Sequence, residues 1–225
     1  MNKNQLRAIK IACQIMRDLP LKAGLTEKQL AAWIALQMKN NGVEPSFPTI
    51  IASGARSVDP HAKPTNNAMK NGEQVVVDLG VKYKGYCSDI TRTFFLGKPT
   101  AKFTHLYSLV KAAQAKAIKV VKAGVYCREV DITAREHIKR ACFHQCHLSL
   151  KKCGGDCFIH TTGHGVGRRI HQEPRISMKS RKKLAAGMVI TIEPGIYVKG
   201  WGGIRIEDMV LVTKEGCKVL TGTCG

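Results

Sequence analysis

The order of secondary-structure patterns repeats within this sequence, and that repeat limits the fold more than any other feature. Apolar residues recur at helical spacing over two segments, and a β-branched run then precedes a turn and a second extended run. The predicted elements of this first copy are helices over 5–19 and 27–42 and strands over 74–78 and 86–95, joined across Gly85. Residues 45–64 are rich in Pro and Ser and include one Gly and one Asp, residue types that favour loops and short extended pieces.

A second copy of the pattern follows. Its predicted elements are helices over 103–122 and 127–143 and strands over 188–196 and 203–213. The tripeptide Ala23-Gly24-Leu25 between the first two helices has a counterpart in Ala123-Gly124-Val125. Such duplication predicts an α+β fold in which two half-domains pack antiparallel sheets into one core, with the helices outside.

The repeat is continuous, because no linker rich in Pro, Gly or Ser separates the halves near residue 100. We therefore expect one domain over 1–225, with halves about 1–99 and 100–225, rather than two independent domains. With 225 residues, of which 44% are apolar and 23% charged, the chain can bury a core without disulfides. These values exclude a disordered or fibrous protein.

The chain is strongly basic, with 36 Lys and Arg against 16 Asp and Glu and a formal net charge of +20. Clustered cations would neutralise the phosphates of a polyanion. The densest basic run, 179–183, is short, however, and no aromatic residues alternate with it to stack bases. A solvated basic surface explains the charge better, so we expect nucleic acid to bind only non-specifically, if at all.

The sequence also predicts the cellular location of the protein and the oxidation state of its cysteines. No stretch approaches the ~18 apolar residues of a membrane span, and charged residues interrupt 1–19, where a secretory signal would be apolar. We therefore expect no membrane association, a cytoplasmic location and reduced thiols for all nine cysteines. A zinc site on four of them, with His144 and His147 between, is a less favoured alternative: Cys142, Cys146, Cys153 and Cys157.

Four carboxylates lie on or beside apolar strands, two in each predicted hairpin. They are Asp78, Asp89, Glu193 and Glu207. Any one of them alone would be explained by a solvent-facing position on an alternating strand. Four buried carboxylates close together would repel one another and lose their hydration, so the matched arrangement predicts compensating cations. Metal ions are the simplest such cations.

A glycine-rich segment, HTTGHGVG over 160–167, supplies the candidate imidazole ligand His164. His160 and His164 have the spacing of a helical zinc motif, but the glutamate between them is missing and the three glycines disfavour a helix. The glycines neither follow a clear strand nor open a βαβ unit, which argues against a dinucleotide site.

Together these residues resemble the metal ligands of the pita-bread metallopeptidase family, which comprises methionine aminopeptidases, aminopeptidase P and Xaa-Pro dipeptidases (prolidases). The five positions are Asp78, Asp89, His164, Glu193 and Glu207. Their order matches the family's, as do the spacings of 11 residues between the aspartates, 29 from the histidine to the first glutamate, and 14 between the glutamates. The resemblance extends over about residues 5–222 and implies the pita-bread fold.

The resemblance also implies a dinuclear metal centre. Asp89 and Glu207 would bridge the two ions, Asp78 would complete one ion, and His164 with Glu193 would complete the other. Manganese is the favoured metal for this donor set, with cobalt, zinc or iron as alternatives.

The implied reaction is hydrolysis of a peptide bond by a hydroxide that bridges the two ions. In this scheme Glu193 shuttles the proton, and His171 and His61 stabilise the oxyanion. The stretches DLGVKYKGYCSDITRTF and GGIRIEDMVLVT are similar to the proline-specific branch. We therefore expect cleavage of the Xaa-Pro bond in dipeptides or at the N-terminus of short peptides.

The resemblance places five residues on the substrate side. They are His61, His160, His171, Arg175 and Arg205. Arg175 is similar to a prolidase arginine that meets the C-terminal carboxylate of the substrate, and an ordinary surface arginine explains it equally well.

Two alternatives stay open at this point. One is a methionine aminopeptidase, because we expect this protein to lack the N-terminal domain that is usual in prolidases and aminopeptidase P. The other is a peptide-binding or RNA-binding module on the same fold, which the basic charge would suit and the intact ligand set argues against. For the quaternary state we expect a monomer or a homodimer.

Overall fold

The computed structural model describes residues 1–145 and 157–224, and over these residues it contains four helices and thirteen strands. The first half comprises α1 (Lys3–Arg17), α2 (Glu27–Asn40), β1 (Glu44–Pro45), β2 (Ile50–Ser53), a 3₁₀ turn (Gly54–Val58), β3 (Gln74–Leu79), β4 (Val81–Tyr83), β5 (Tyr86–Cys87) and β6 (Ile90–Phe95).

The second half has the same succession of helices followed by strands. It comprises α3 (Ala101–Val120), α4 (Cys127–Gln145), β7 (Gly163–Gly165), β8 (Gln172–Ile176), β9 (Val189–Ile192), β10 (Gly195–Val198), β11 (Gly202–Arg205), β12 (Asp208–Val212) and β13 (Cys217–Val219). Among the described residues, no helix has the length and apolar character needed to cross a membrane.

The helices begin where the sequence supplies a capping side chain. Thr26 and Gln29 form a capping box at the start of α2, in which each side chain bonds the backbone N–H of the other. Thr100 caps α3 in the simpler manner, accepting from the N–H of Phe103. These caps satisfy backbone donors that the first helical turn leaves without partners, and so fix where each helix starts.

The sheets are antiparallel, as expected. In the first half β3 lies between β2 and β6, and β4 pairs with β1 and β5. In the second half β9 and β12 pair within a sheet ordered β13-β12-β9-β7-β8, and β10 pairs with β11.

Both hairpins are built alike, with a main pair that continues into a short outer pair. The main pairs are β3 with β6 and β9 with β12, and the outer pairs are β4 with β5 and β10 with β11. The strands predicted over 86–95, 188–196 and 203–213 are therefore each divided in two. Pro194 lacks an N–H and ends β9, whereas the N–H of Glu207 leaves its own sheet and bonds the carbonyl of Thr91 at 3.1 Å.

The turns before α2 and α4 also correspond. Gly24 and Gly124 have φ values of 87° and 89°, in the left-handed region that favours glycine. The N–H of Gly24 bonds the carbonyl of Met69 at 2.8 Å, and the N–H of Gly124 bonds that of Leu184 at 2.8 Å. The repeated Ala-Gly tripeptides thus occupy equivalent turns, each leading into the second helix of its half.

Helices pack outside the sheets in two apolar clusters. The first includes Ile9 and Leu30 from the helices and Val77 from β3, all at most 1% exposed. The second includes Leu106 and Val130 from the helices together with the strands of the second half. Hydrogen bonds join the two halves beside the strand breaks, including those from the N–H of Glu207 to Thr91 and from the N–H of Cys87 to Gly167. The candidate metal ligands of the sequence analysis therefore lie where the two sheets meet.

The expectation that every cysteine is reduced is wrong. Cys13 on α1 and Cys224 form a disulfide, with Cα atoms 4.5 Å apart. The two residues are 211 positions apart, so no local spacing indicates the bond.

Three other cysteines of the described residues are free thiols, namely Cys87, Cys127 and Cys217. The alternative zinc cluster needs Cys142, Cys146 and Cys153, whose side chains lie outside the described part of the chain.

Candidate metal centre

The two hairpins bring acidic side chains and one histidine to the same buried position. Asp89, His164 and Glu207 each offer a ligand atom, and these atoms lie within 4.8 Å of one another. All three residues are buried. Asp89 immediately precedes β6, Glu207 immediately precedes β12, and His164 lies in the middle of β7. Three such donors converging on one point can chelate a divalent cation.

The imidazole of His164 faces two carboxylates. Its Nδ1 donates to the carbonyl oxygen of Gly165 at 3.1 Å, which leaves Nε2 with a lone pair in the neutral ring. Burial lowers the pKa of His164 and so favours that neutral form. Nε2 lies 3.4 Å from Oδ2 of Asp89 and 3.4 Å from Oε1 of Glu193. A lone pair facing two carboxylates is repulsive unless a cation lies between them, and a carbonyl-bound Nδ1 is typical of metal-ligating histidines.

Asp78 has one oxygen bound and one oxygen without a partner. Nη2 of Arg205 donates to Oδ2 at 2.8 Å, and the Arg205 side chain is only 3% exposed. Oδ1 is buried and has no hydrogen-bond partner among the described residues. A buried carboxylate oxygen rarely stays unpartnered, so Oδ1 is available to a cation.

Two threonine hydroxyls fix the glutamates, and the sequence analysis missed both. Oγ1 of Thr91 donates to Oε2 of Glu207 at 2.7 Å and accepts from Nε of Arg205 at 3.2 Å. Oγ1 of Thr191 donates to Oε1 of Glu193 at 3.1 Å. Each hydroxyl restricts the rotation of one carboxylate without using up all of its lone pairs.

A hydrogen-bonded chain continues from Arg205 away from the carboxylates. Nη1 of Arg205 donates to the hydroxyl of Tyr197 at 2.9 Å, and that hydroxyl lies 2.8 Å from Nε2 of His160. Nδ1 of His160 is bound to the carbonyl of Thr161 at 2.8 Å, so Nδ1 holds the proton and Nε2 accepts from Tyr197. Burial lowers the pKa of His160 to about 3, which keeps the ring a neutral acceptor.

The missed residues carry a weak sequence signal. Thr91 is two positions from Asp89 and Thr191 is two positions from Glu193, and side chains two apart on a strand share a face. Tyr197 lies four positions beyond Glu193, which is again an even number of residues. Searching that face of each hairpin for hydroxyls would have found all three.

The other three substrate-side residues of the sequence analysis are exposed. The ring of His171 is edge-on to that of His164, with centroids 4.5 Å apart, and Arg175 on β8 pairs with His164 across the ladder. Nη1 of Arg205 reaches the carbonyl of Pro60 at 3.5 Å, which attaches the loop of His61 to the centre. His171 and Arg175 therefore lie beside the acidic cluster, and His61 lies on a loop at its edge.

Burial makes the acidic cluster hard to ionise without added cations. It is the largest cause of the raised pKa values of Asp89 and Glu207, which neighbouring carboxylates raise further. Burial also raises the pKa of Asp78, against the effect of Arg205, and raises that of Glu193 to about 7. One guanidinium cannot balance four ionised carboxylates, so the ionised cluster requires further positive charge.

This donor set fits divalent metal ions. It combines four carboxylates with one imidazole, and it leaves the Oδ1 atom of Asp78 and the Nε2 atom of His164 directed at no hydrogen-bond donor in the described residues. Oxygen-rich coordination with a single imidazole suits manganese, iron, cobalt and zinc better than soft metals.

Known proteins are similar to this chain in both sequence and fold. A profile of metallopeptidase family M24 matches residues 3–214. The Xaa-Pro dipeptidase of Pyrococcus furiosus is 44% identical over 98% of this chain and 62% of the relative. That of Pyrococcus horikoshii is 41% identical over 99% of this chain and 62% of the relative. The chain thus spans about 62% of the length of these curated relatives.

Solved structures of prolidases and related aminopeptidases have the same fold as this chain. The prolidase of Pyrococcus furiosus superposes with a TM-score of 0.86 at 43% identity, covering 98% of this chain and 64% of that one. An X-Pro aminopeptidase from Thermotoga maritima gives a TM-score of 0.88 at 37% identity, covering 97% and 60%. The fold and the site thus define a pita-bread domain whose buried acidic cluster could hold metal ions. The chain belongs to metallopeptidase family M24.

Proposed function

We propose that this chain binds two divalent metal ions and hydrolyses the Xaa-Pro bond of dipeptides or short peptides. Asp78, Asp89, His164, Glu193 and Glu207 would hold the ions. Manganese is the proposed metal, because the donors are mostly carboxylate oxygens. One observation carries the proposal: Nε2 of His164 lies 3.4 Å from carboxylate oxygens of both Asp89 and Glu193, an arrangement that a cation between them would stabilise.

The chain's own residues would divide the catalytic work. When bound, the two ions supply an activated water and polarise the scissile carbonyl. Glu193 is fixed by Thr191 and would accept a proton from that water and return it to the product. His171 and His61 would donate hydrogen bonds to the oxyanion as it forms.

Substrate binding would use residues around the same centre. Arg205 and His160 are both hydrogen-bonded to Tyr197, which fixes their positions beside the centre. The side chains of His61, His171 and Arg175 are exposed, so a peptide can reach them. A free carboxylate paired with Arg175 would favour dipeptides. The proline-specific choice is supported by similar proteins, which include two Xaa-Pro dipeptidases and an X-Pro aminopeptidase.

The proposal is tested with the metal-free and metal-loaded chain. Chelator-treated protein is assayed with and without Mn²⁺ on Ala-Pro, Ala-Pro-Ala and Met-Ala-Ser. We expect hydrolysis of the proline peptides only with metal, and its loss in Glu193→Gln. Preference for Met-Ala-Ser would indicate a methionine aminopeptidase instead, and inactivity on all three peptides at saturating metal would refute the peptidase proposal.

A further inference from the structure

The C-terminal strap, residues 220–224, passes behind the metal-type centre and contributes none of its donors. The N–H of Leu220 bonds the carbonyl of Met209 at 2.8 Å, and the N–H of Met209 bonds Oγ1 of Thr221 at 2.9 Å. The same Thr221 hydroxyl donates to Oδ1 of Asp208 at 2.7 Å. The strap therefore binds the first two residues of β12, which directly follow Glu207.

A buried arginine connects the strap to Glu207. Nη2 of Arg92 donates to Oδ1 of Asp208 at 2.9 Å and to the carbonyl of Thr221 at 2.8 Å, and Nη1 donates to the carbonyl of Glu207. The side chains of Arg92 and Asp208 are only 8% and 10% exposed. The carbonyl of Glu207 lies between β11 and β12, outside the sheet ladder, so Arg92 supplies the donor it needs.

The residues bound by the strap also contact a second proposed metal ligand, Asp89. The backbone N–H of Asp89 donates to Sδ of Met209 at 3.3 Å, and the backbone of Met209 is the part held by the strap. The strap thus supports the backbone at two of the proposed metal ligands, Asp89 and Glu207.

The far end of the strap is held covalently. The N–H of Cys224 bonds the carbonyl of Thr221 at 3.0 Å, and its sulfur is joined to Cys13 on α1. The helix is itself attached to the sheets, because Nε2 of Gln5 donates to the carbonyls of Cys87 and Val166 at 3.3 and 3.0 Å. The disulfide therefore ties the strap to a helix that does not move independently of the sheets.

We propose that Arg92, Asp208 and the C-terminal strap position Glu207 and Asp89 for metal binding, and that the Cys13–Cys224 disulfide holds the strap in place. This inference rests on the proposed metal centre. A buried ion pair contributes little net stability, but it fixes geometry where the sheet ladder is interrupted. Residues that orient metal ligands from outside commonly change metal affinity by about 10–100-fold when they are replaced.

The first test replaces the central hydroxyl. Thr221→Val keeps the shape of the side chain and removes its bonds to Asp208 and Met209, and Thr223→Val is a matched control at an exposed position of the strap. Calorimetric titration of the chelated full chain with Mn²⁺ should show affinity weakened about 10-fold in Thr221→Val. Thr223→Val should be unchanged, and Thr221→Ser, which keeps the hydroxyl, should restore the affinity.

The second test removes the covalent tie. Cys224→Ser breaks the disulfide, and Cys217→Ser is the control, because Cys217 is a free thiol on β13. Mn²⁺ affinity should fall in Cys224→Ser and stay constant in Cys217→Ser. If Thr221→Val does not fold, this pair of variants decides the question.

A positioning role and a purely structural role give different results. Unchanged Mn²⁺ affinity in Thr221→Val and Cys224→Ser, even with a lower melting temperature of the chelated protein, would overturn the positioning proposal. Failure of the unaltered chain to bind Mn²⁺ would instead refute the proposed function, so the two failures are distinguishable.

Discussion

Two carboxylates of the centre are each held by a side chain from the other half of the chain. Asp78 of the first hairpin is bound by Arg205 of the second, and Glu207 of the second is bound by Thr91 of the first. Each of these partners is itself buried and bonded, so it has little freedom to move. Such preorganisation lowers the cost of assembling the site around its ions and substrate.

The role of Arg175 can be measured at this scale. Its exposed side chain lies on β8 beside His164, and a charge-assisted contact with a substrate carboxylate would stabilise only dipeptides. Arg175→Ala should lower kcat/KM for Ala-Pro by about 10–150-fold, equivalent to about 1.5–3 kcal/mol, and leave Ala-Pro-Ala nearly unchanged. Steady-state kinetics on both peptides give the result.

Arg181→Ala is the control for this measurement, since Arg181 is another exposed arginine and lies in the basic run. It should leave both substrates unaffected. An equal loss on dipeptide and tripeptide in Arg175→Ala, or no loss on either, would exclude the carboxylate role.

At the scale of elements, the interrupted strands determine where the ligands lie. The sequence predicts the helix bounds to within two residues, because capping residues and apolar periodicity are local signals. It predicts continuous strands where the structure has breaks at Asp89, Glu193 and Glu207. Apart from Pro194 no local signal marks these breaks. At the break beside Glu207, the backbone N–H bonds the carbonyl of Thr91 in the other half, a contact that only the tertiary structure reveals.

The packing of β7 on β9 offers a test of how these elements place His164. A Cβ added at Gly163 would lie 2.0 Å from the carbonyl oxygen of Thr191 and 2.7 Å from its carbon, and backbone cannot retreat as a flexible side chain can. Gly163→Ala should therefore push β7 away, lowering the free energy of unfolding by about 1–3 kcal/mol and weakening Mn²⁺ binding.

Urea unfolding and metal titration measure these two effects. The control is Gly216→Ala, because no atom lies within 4 Å of a Cβ added there. It should leave both quantities unchanged. Wild-type behaviour of Gly163→Ala would mean that close contact between the strands does not set the position of His164.

For the whole molecule, the five ligand-type residues are recognisable from order and spacing, but the connections among them are not. The chain from Arg205 through Tyr197 to His160, and the disulfide between Cys13 and Cys224, join residues that only tertiary structure brings together. The single-domain extent over 1–225 and the monomer or homodimer state stay predictions.

The buried acids also predict how stability of the metal-free chain depends on pH. Burial raises the pKa of Glu193 from 4.5 to about 7, so the folded state favours the protonated acid. The resulting stabilisation is present below about pH 4.5 and is lost as the pH rises through about 7. Without metal, the chain should lose about 3 kcal/mol relative to Glu193→Gln across that interval.

Comparison with Glu193→Gln is needed because His160 acts in the opposite direction. Burial lowers the pKa of His160 from 6.5 to about 3, so its contribution is present above 6.5 and is lost as the pH falls. Urea unfolding of both chelated chains between pH 4.5 and about 7 cancels the contribution of His160 and compares the acidic cluster with and without the Glu193 carboxyl. Parallel stability curves for the two chains would show that Glu193 ionises freely in the folded protein, contrary to its buried position.

Metal stoichiometry tests the central claim most directly. Calorimetric titration of the chelated chain with Mn²⁺ should give about two equivalents, since a dinuclear centre is proposed. Asp89→Asn, which removes the charge of a proposed ligand, should abolish binding of at least one ion, whereas the exposed control Asp18→Asn should bind as the wild type does. No Mn²⁺ uptake by the wild-type chain, or uptake that Asp89→Asn leaves unchanged, would contradict the assignment of the acidic cluster as a metal centre.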